Sequence, residues 1–189
     1  MDVWRCQGAV SPWHLLKSWF GDPAFRPVLS LRVVQALDRS PCVIRWWLMP
    51  FARIWHRRQQ RGCGVDLPWR MQVGAGFKLL HGWGVVINDE VRIGNNVTIM
   101  QGVTVGGTGR GIPVIEDGAI ICANATVIGG IVIGANSVVG AGCVVTKSVP
   151  AGATVIGNPQ REIARATPVR GYNAVPAPML KGRSECRSR

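Results

Sequence analysis

Residues 114–145 read VIEDGAIICANATVIGGIVIGANSVVGAGCVV, and their spacing decides the architecture. Ile115, Ile121, Val127, Ile133, Val139 and Val145 recur at every sixth residue. Upstream, Ile87, Ile93, Ile99 and Val105 keep the same interval, and Val73 with Leu79 begins an earlier pair, offset by a two-residue insertion around 81–84. A second small or apolar residue stands two positions before the aliphatic: Val85, Val91, Val97, Val103, then Ala119, Ala125, Ile131, Ser137 and Cys143. This period fits neither the 3.6 of an α-helix nor the 2 of an alternating strand. It fits short flat segments joined by corners, with two residues of each hexad pointing inward. Gly, Asn and Asp at the corners supply the backbone angles that such bends require. Three hexads close one triangular turn, which predicts Ile115 stacked on Ile133 and Ile121 on Val139 at about 4.8 Å. A sandwich of short strands would show looser spacing and polar turns every eight to twelve residues or so. The reading is therefore a mainly β fold, a parallel β-helix of six-residue repeats.

A column of this kind has open ends that must be covered. Residues 27–60 read as helical, with PVLSLRVVQALDR, a break at Ser40-Pro41, then CVIRWWLM, a break at Pro50, and FARIWHRRQQR. Gly62 and Gly64 mark the passage into the column. The expected organisation is a helical region at 1–62, the β-helix at 63–161, and a basic tail at 162–189 whose Pro, Gly and Arg content reads as a surface arm or disorder.

Of 189 residues, 47% are apolar and 17% charged, a globular composition that excludes dominant disorder. The net charge of +12 sits at the ends: residues 1–62 hold ten Lys/Arg against three Asp/Glu, 63–160 five of each, and 161–189 seven against two. A nucleic-acid domain carries its basic residues on the folded body, so nucleic acid is not an expected partner. Arg45 and Arg53 interrupt the best apolar stretch short of a membrane span. The N-terminal MDVWRCQGAVSP lacks the layout of a secretory signal, and the cytoplasm is the expected compartment. Segment 43–58 (VIRWWLMPFARIWHRR) has two readings, a helix packed on the end of the column or a peripheral membrane contact. Packing is preferred, because Pro50 breaks a continuous amphipathic face. Six cysteines form no CxxC pair, and the chain has only His14, His56 and His81, so neither disulfides nor a metal site are expected.

The hexads, the run LLHGWGVVINDEVRIGNNVTIMQGVTVGGTG at 79–109, the stretch GAGCVVTKSVPAGATVIGNPQR at 140–161 and VDLP at 65–68 resemble the hexapeptide-repeat acyltransferases. Within them the chain is similar to the serine-acetyltransferase-like branch, and most to its members that O-acetylate exopolysaccharides of the colanic-acid type. The resemblance implies a left-handed coil, a homotrimer, and acetyl-CoA held in a groove between neighbouring subunits. The handedness comes from the resemblance alone, since general connection rules favour right-handed crossovers and periodicity does not decide it.

Moving an acyl group from a thioester to a hydroxyl needs a base at the alcohol, donors for the developing oxyanion, and a proton for the departing thiolate. One histidine serves both proton steps, because a thiol of reference pKa about 8.5 is an undemanding leaving group. His81 is the one histidine in the repeat region and sits at the insertion, off the stacked positions; it reads either as the catalytic base implied by the resemblance or as a surface corner residue. Asp66 matches the family acid that orients this histidine, and reads equally as an Asp satisfying turn backbone before Pro68. Fifteen residues separate the two, close to one coil. Gly106, Gly107, Thr108 and Gly109 form a small-residue loop whose amides suit a pantetheine arm or an oxyanion. Ala123, Ala141 and Gly142 are read as lining the same groove, and Lys147 and Arg161 as meeting the nucleotide phosphates; Ala and Gly are also what coil corners prefer. Cys143 on an inward position and Cys122 on a corner read as packing residues, so direct transfer without an acyl-cysteine is expected.

Serine acetyltransferases carry an Asp immediately before the catalytic His, where this chain has Leu80, and an Arg-His-Pro stretch after GGTG, where this chain has GTGRGIPV with Arg110 as the one charge. Those losses favour a neutral sugar hydroxyl, with Trp83 stacked on the pyranose and Arg110 beside it. The expected activity is thus acetyl-CoA-dependent O-acetylation of a sugar in exopolysaccharide or surface-polysaccharide biosynthesis. Serine O-acetylation in cysteine biosynthesis is the alternative.

Overall fold

The computed structural model describes residues 24–109 and 111–165. Two helices, α1 (Phe25–Asp38) and α2 (Cys42–Cys63), precede a coil of short strands. The strands lie on three faces. Face 1 holds β1 (Gln72–Val73), β4 (Arg92–Ile93), β7 (Val114–Ile115) and β10 (Val132–Ile133). Face 2 holds β2 (Lys78–Leu80), β5 (Thr98–Met100), β8 (Ile120–Ile121), β11 (Val138–Val139), β13 (Ala153–Ile156) and β14 (Arg161–Arg165). Face 3 holds β3 (Val86–Ile87), β6 (Thr104–Gly106), β9 (Thr126–Ile128) and β12 (Val144–Val145). Apart from β13–β14, the strands of the described residues pair in parallel. The protein is a parallel β-solenoid of hexapeptide repeats with a short helical region before it.

The six-residue period translates directly into this register. Ile115 pairs with Ile133, Ile121 with Val139 and Val127 with Val145, each one coil apart. Both inward positions of the hexad are buried, from Val85 and Val91 at 0% exposure to Ile131 at 8%. Because each rung lays its aliphatics on those below, the interior forms one continuous core. Corners alternate Gly with Asn: Gly102 and Gly118 adopt φ of +68° and +71°, and a Cβ on either would collide with the Oδ1 of Asn124 or Asn136 on the next rung.

The helices cap the first rung. Arg32 of α1 donates to the Val73 carbonyl at 2.9 Å and also to Gly74, and Gln35 donates to the Met71 carbonyl at 3.0 Å, so side chains satisfy the open edge of β1. α2 runs unbroken through Pro50, contrary to the expected break there. An interior proline costs about 3 kcal/mol; burial of Met49, Ala52 and His56, which flank it on one stripe, offsets that cost. Gly64 ends the helix in the left-handed conformation, φ 58°. At the far end β14 turns back antiparallel on β13, so residues 162–165, expected in a loose tail, continue the sheet. The rest of the tail, with His14, Cys6 and Cys186, lies outside the described residues.

Candidate functional site

His81 owes its position to an insertion that register makes visible. Leu80 pairs with Met100, whereas the Gly102 N–H bonds the Trp83 carbonyl at 2.8 Å and Gly84 lies over Gly102. Residues 81–83 therefore stand opposite the single residue Gln101, and the chain bulges at the corner between faces 2 and 3. The bulge is tight: the Trp83 N–H reaches the His81 carbonyl at 2.5 Å, a three-residue turn centred on Gly82. Gly82 is buried, and a Cβ there would come within 2.7 Å of Leu79 Cδ2 and 3.1 Å of the Ala24 methyl. With Gly82 clamped inward, His81 faces outward, exposed and at φ +53°. The other positive-φ residues with side chains, among those described, are corner asparagines (Asn96, Asn124, Asn136). A ring held in a sparsely populated conformation at an exposed insertion points to use rather than packing.

The same corner rises as a column of small residues. The Asn124 N–H bonds the Gln101 carbonyl, and the Gly142 N–H bonds the Ala123 carbonyl, each at 2.9 Å. Ala123 is half-buried, Ala141 and Gly142 are exposed, and nothing lies within 4 Å of where a Gly142 Cβ would point. At the top, Arg161 pairs with Ile156, whose side chain covers Gly140. Trp83, 56% exposed, flanks the base of the column beside His81. Gln101 was not singled out by sequence reasoning, yet its Oε1 is buried without a hydrogen-bond partner at this corner. Its signal was the bulky amide at a corner level where Ala123 and Ala141 stand above.

Asp66 lies one rung below. Its backbone bridges Val86, with the Asp66 N–H on the Val85 carbonyl at 2.7 Å and the Ile87 N–H on the Asp66 carbonyl at 3.0 Å. The expected hydrogen bond between its carboxylate and His81 is not made among the described residues. Its neighbour Leu67 instead presents its carbonyl to the buried His56 Nε2 at 2.9 Å, while Ser30 Oγ meets His56 Nδ1 at 2.8 Å. Burial pushes the His56 imidazole below its ordinary range, against the opposing pull of the Leu67 carbonyl and of Asp66.

The glycine loop occupies a different edge. Gly106 pairs with Ile128, but Val114 pairs with Val132, so residues 107–113 stand opposite only 129–131 at the corner between faces 3 and 1. Thr108 and Gly111 exchange both backbone hydrogen bonds at 2.9 Å, closing a small hairpin. Its tip residue Arg110 lies outside the described residues. No atom lies within 4 Å of a Cβ built on Gly106 or Gly109, so this backbone is open to a ligand. Lys147 belongs to the same edge, exposed, with its backbone tied to the Gln160 side chain at 3.0 Å. The single groove expected to hold Gly106, Gly107 and Thr108 together with Ala123, Ala141 and Gly142 is thus not formed within one chain. The loop follows β6 of face 3, whereas Ala123 and Ala141 follow β8 and β11 of face 2, so the two sets stand on opposite borders of face 3.

Burial pushes the Cys122 and Cys143 thiols above their ordinary range, which leaves them poor nucleophiles. A concavity of about 990 Å³ lies on face 1, across the column from His81. It holds Glu116 and Asp117, but both carboxylates are committed to backbone N–H groups, Glu116 to Ala135 at 2.8 Å and Asp117 to Asn95 at 2.7 Å. Depth alone does not make it the site of chemistry. Among the described residues no three His, Cys, Asp or Glu side chains are grouped as a metal site.

Residues 112–147 match the bacterial transferase hexapeptide (six repeats) family. The serine acetyltransferase of Bacillus licheniformis is 43% identical over 106 residues, 54% of this chain and 49% of that one. The structure of Neisseria gonorrhoeae serine acetyltransferase in complex with serine superposes with a TM-score of 0.68 at 30% identity, covering 86% of this chain and 64% of that one. A serine acetyltransferase structure in complex with CoA gives 0.67 at 30% identity, covering 82% and 62%. The chain spans about half the length of the relatives it matches. These findings overturn the saccharide acceptor and give no support to the kinship with exopolysaccharide enzymes. That expectation gave Leu80 and the shortened loop more weight than the coil shared with serine acetyltransferases.

Proposed function

We propose that this chain, whose residues 112–147 match the bacterial transferase hexapeptide family, transfers the acetyl group of acetyl-CoA to the hydroxyl of serine. The observation that carries this reading is His81, exposed at φ +53° at the foot of a small-residue edge, in a coil matched by serine acetyltransferases.

In the proposed reaction His81 takes the proton of the serine hydroxyl as its oxygen attacks the thioester carbonyl. The tetrahedral intermediate collapses, the C–S bond breaks, and the imidazolium returns its proton to the thiolate, giving O-acetylserine and CoA. Asp66 is assigned to holding the imidazolium by charge from the rung below. Leu80 supplies no partner for the serine ammonium; the half-buried Gln101 at the same corner would have to turn its amide oxygen outward to accept from it.

Two half-sites on the two borders of face 3 support assembly as a trimer. The 2–3 edge carries His81, Trp83, Ala123, Ala141, Gly142 and Arg161, and the 3–1 edge carries Gly106, Gly107, Thr108 and Lys147. A neighbouring copy set about a three-fold axis would bring the glycine loop of one subunit against the histidine edge of the next, making the groove for acetyl-CoA. The open backbone at Gly106 and Gly142 fits a thin pantetheine arm, and Lys147 and Arg161 fit its phosphates. The cytoplasm remains the proposed compartment, in keeping with Cys42, Cys122 and Cys143, which form no disulfide among the described residues.

Purified protein mixed with acetyl-CoA should release thiol only when L-serine is added, with O-acetylserine found by mass spectrometry. Thiol release indifferent to L-serine would sink the serine reading while leaving the family intact.

A further inference from the structure

Helix α2 buries one stripe against α1 and the first rung through Met49, Ala52, His56 and Cys63. The opposite arc is bare: Val43 is 72% exposed, Trp46 74%, Trp47 67%, Phe51 70% and Ile54 64%. At 100° per residue, Val43, Trp47, Phe51 and Ile54 fall within about 80° of the circumference. Arg58 and Arg61 continue that arc toward the helix C-terminus, with exposed Arg57 beside them. Residues 42–63 contain Arg45, Arg53, Arg57, Arg58 and Arg61 and neither Asp nor Glu.

Charge selects the occupant of this face. A second copy packed α2 against α2 would set arginines against arginines, with no carboxylate on either helix to receive them. A nucleic acid would neutralise the arginines but leave the Trp, Phe and Ile side chains uncovered. An anionic lipid surface meets both needs, because its acyl boundary takes the apolar arc and its headgroup phosphates take the guanidinium groups. No helix among the described residues is long and apolar enough to cross a membrane, so the contact is a surface one.

We propose that α2 docks the protein on anionic membranes, with Val43, Trp46, Trp47, Phe51 and Ile54 in the interface and Arg57, Arg58 and Arg61 at the phosphates. The net charge of +12 on the whole chain reinforces the attraction. The proposal is independent of the acetyl acceptor.

Flotation of the full-length protein with phosphatidylcholine vesicles, with or without phosphatidylserine, tests it. Recovery with phosphatidylserine should exceed that with phosphatidylcholine alone about tenfold and fall as salt is raised. Two variants should each lose about tenfold of the bound fraction with unchanged circular dichroism: Trp46→Ser/Trp47→Ser/Phe51→Ser, and Arg57→Gln/Arg58→Gln/Arg61→Gln. Wild-type protein that stays with the soluble fraction overturns the proposal, as does equal flotation of either variant. A sedimentation mass that falls in the serine variant also overturns it, by assigning the face to a second copy.

Discussion

Replacing His81 with glycine should separate the two things this residue does. The imidazole is exposed and its backbone sits at φ +53°, where an L-residue costs about 1–2 kcal/mol. Glycine removes that strain but adds about 0.4–1 kcal/mol of chain entropy to the unfolded state. The balance is a stabilisation of up to about 1.5 kcal/mol, centred near 1, or a rise of about 2–4 °C in melting temperature for a chain of this length. Scanning calorimetry of wild type, His81→Gly and His81→Ala at one fixed protein concentration reads the effect. Alanine keeps the positive-φ penalty and should melt near the wild type. L-serine-dependent thiol release should fall by about 10²–10⁴ in both variants. If His81→Gly melts lower than wild type, the ring holds the corner together and the argument from strain is wrong.

Other consequences concern the core, the bulge and pH. Ile121→Ala removes a fully buried side chain stacked between Ile99 and Val139 and should cost about 2–5 kcal/mol, read as a lowered urea midpoint. Gly82→Ala sets a methyl 2.7 Å from Leu79 Cδ2. Since that side-chain end can shift, stability should fall by only about 1 kcal/mol, while serine turnover drops at least tenfold or so as His81 is displaced. His56 is held neutral by burial, so the unfolded chain takes up its proton first as pH falls through the ordinary value of 6.5. Wild-type stability should therefore decline from pH 7 toward 5 or so, and His56→Gln should flatten that slope in urea titrations even though its midpoint at neutral pH is lower.

Much of the column was legible because burial and stacking both follow the hexad. Ile115 on Ile133 and Ile121 on Val139 needed only counting. The site was legible in part. The insertion at 81–83 disturbs the period where His81 sits, so the break itself marked the residue. The relation of GGTG to the alanine edge was lost for the same kind of reason: four extra residues after Gly106 hide the phase that assigns a corner to a face. Pro50 misled, since local propensity argues for a break and the packing of Met49, Ala52 and His56 on α1 and the first coil overrides it. That correction matters, because an unbroken α2 presents the continuous exposed arc that a broken helix could not. The acceptor was misjudged from two absent groups at Leu80 and in the Arg110 loop. A missing contact shows how one substrate group is not held; it does not identify a different substrate.

The most direct trial of the account is kcat/KM for L-serine at saturating acetyl-CoA, in wild type and His81→Ala. Loss of a proton-transferring imidazole predicts a fall of about 10²–10⁴, with the KM for acetyl-CoA nearly unchanged. A His81→Ala protein that acetylates serine at a rate close to wild type would contradict it.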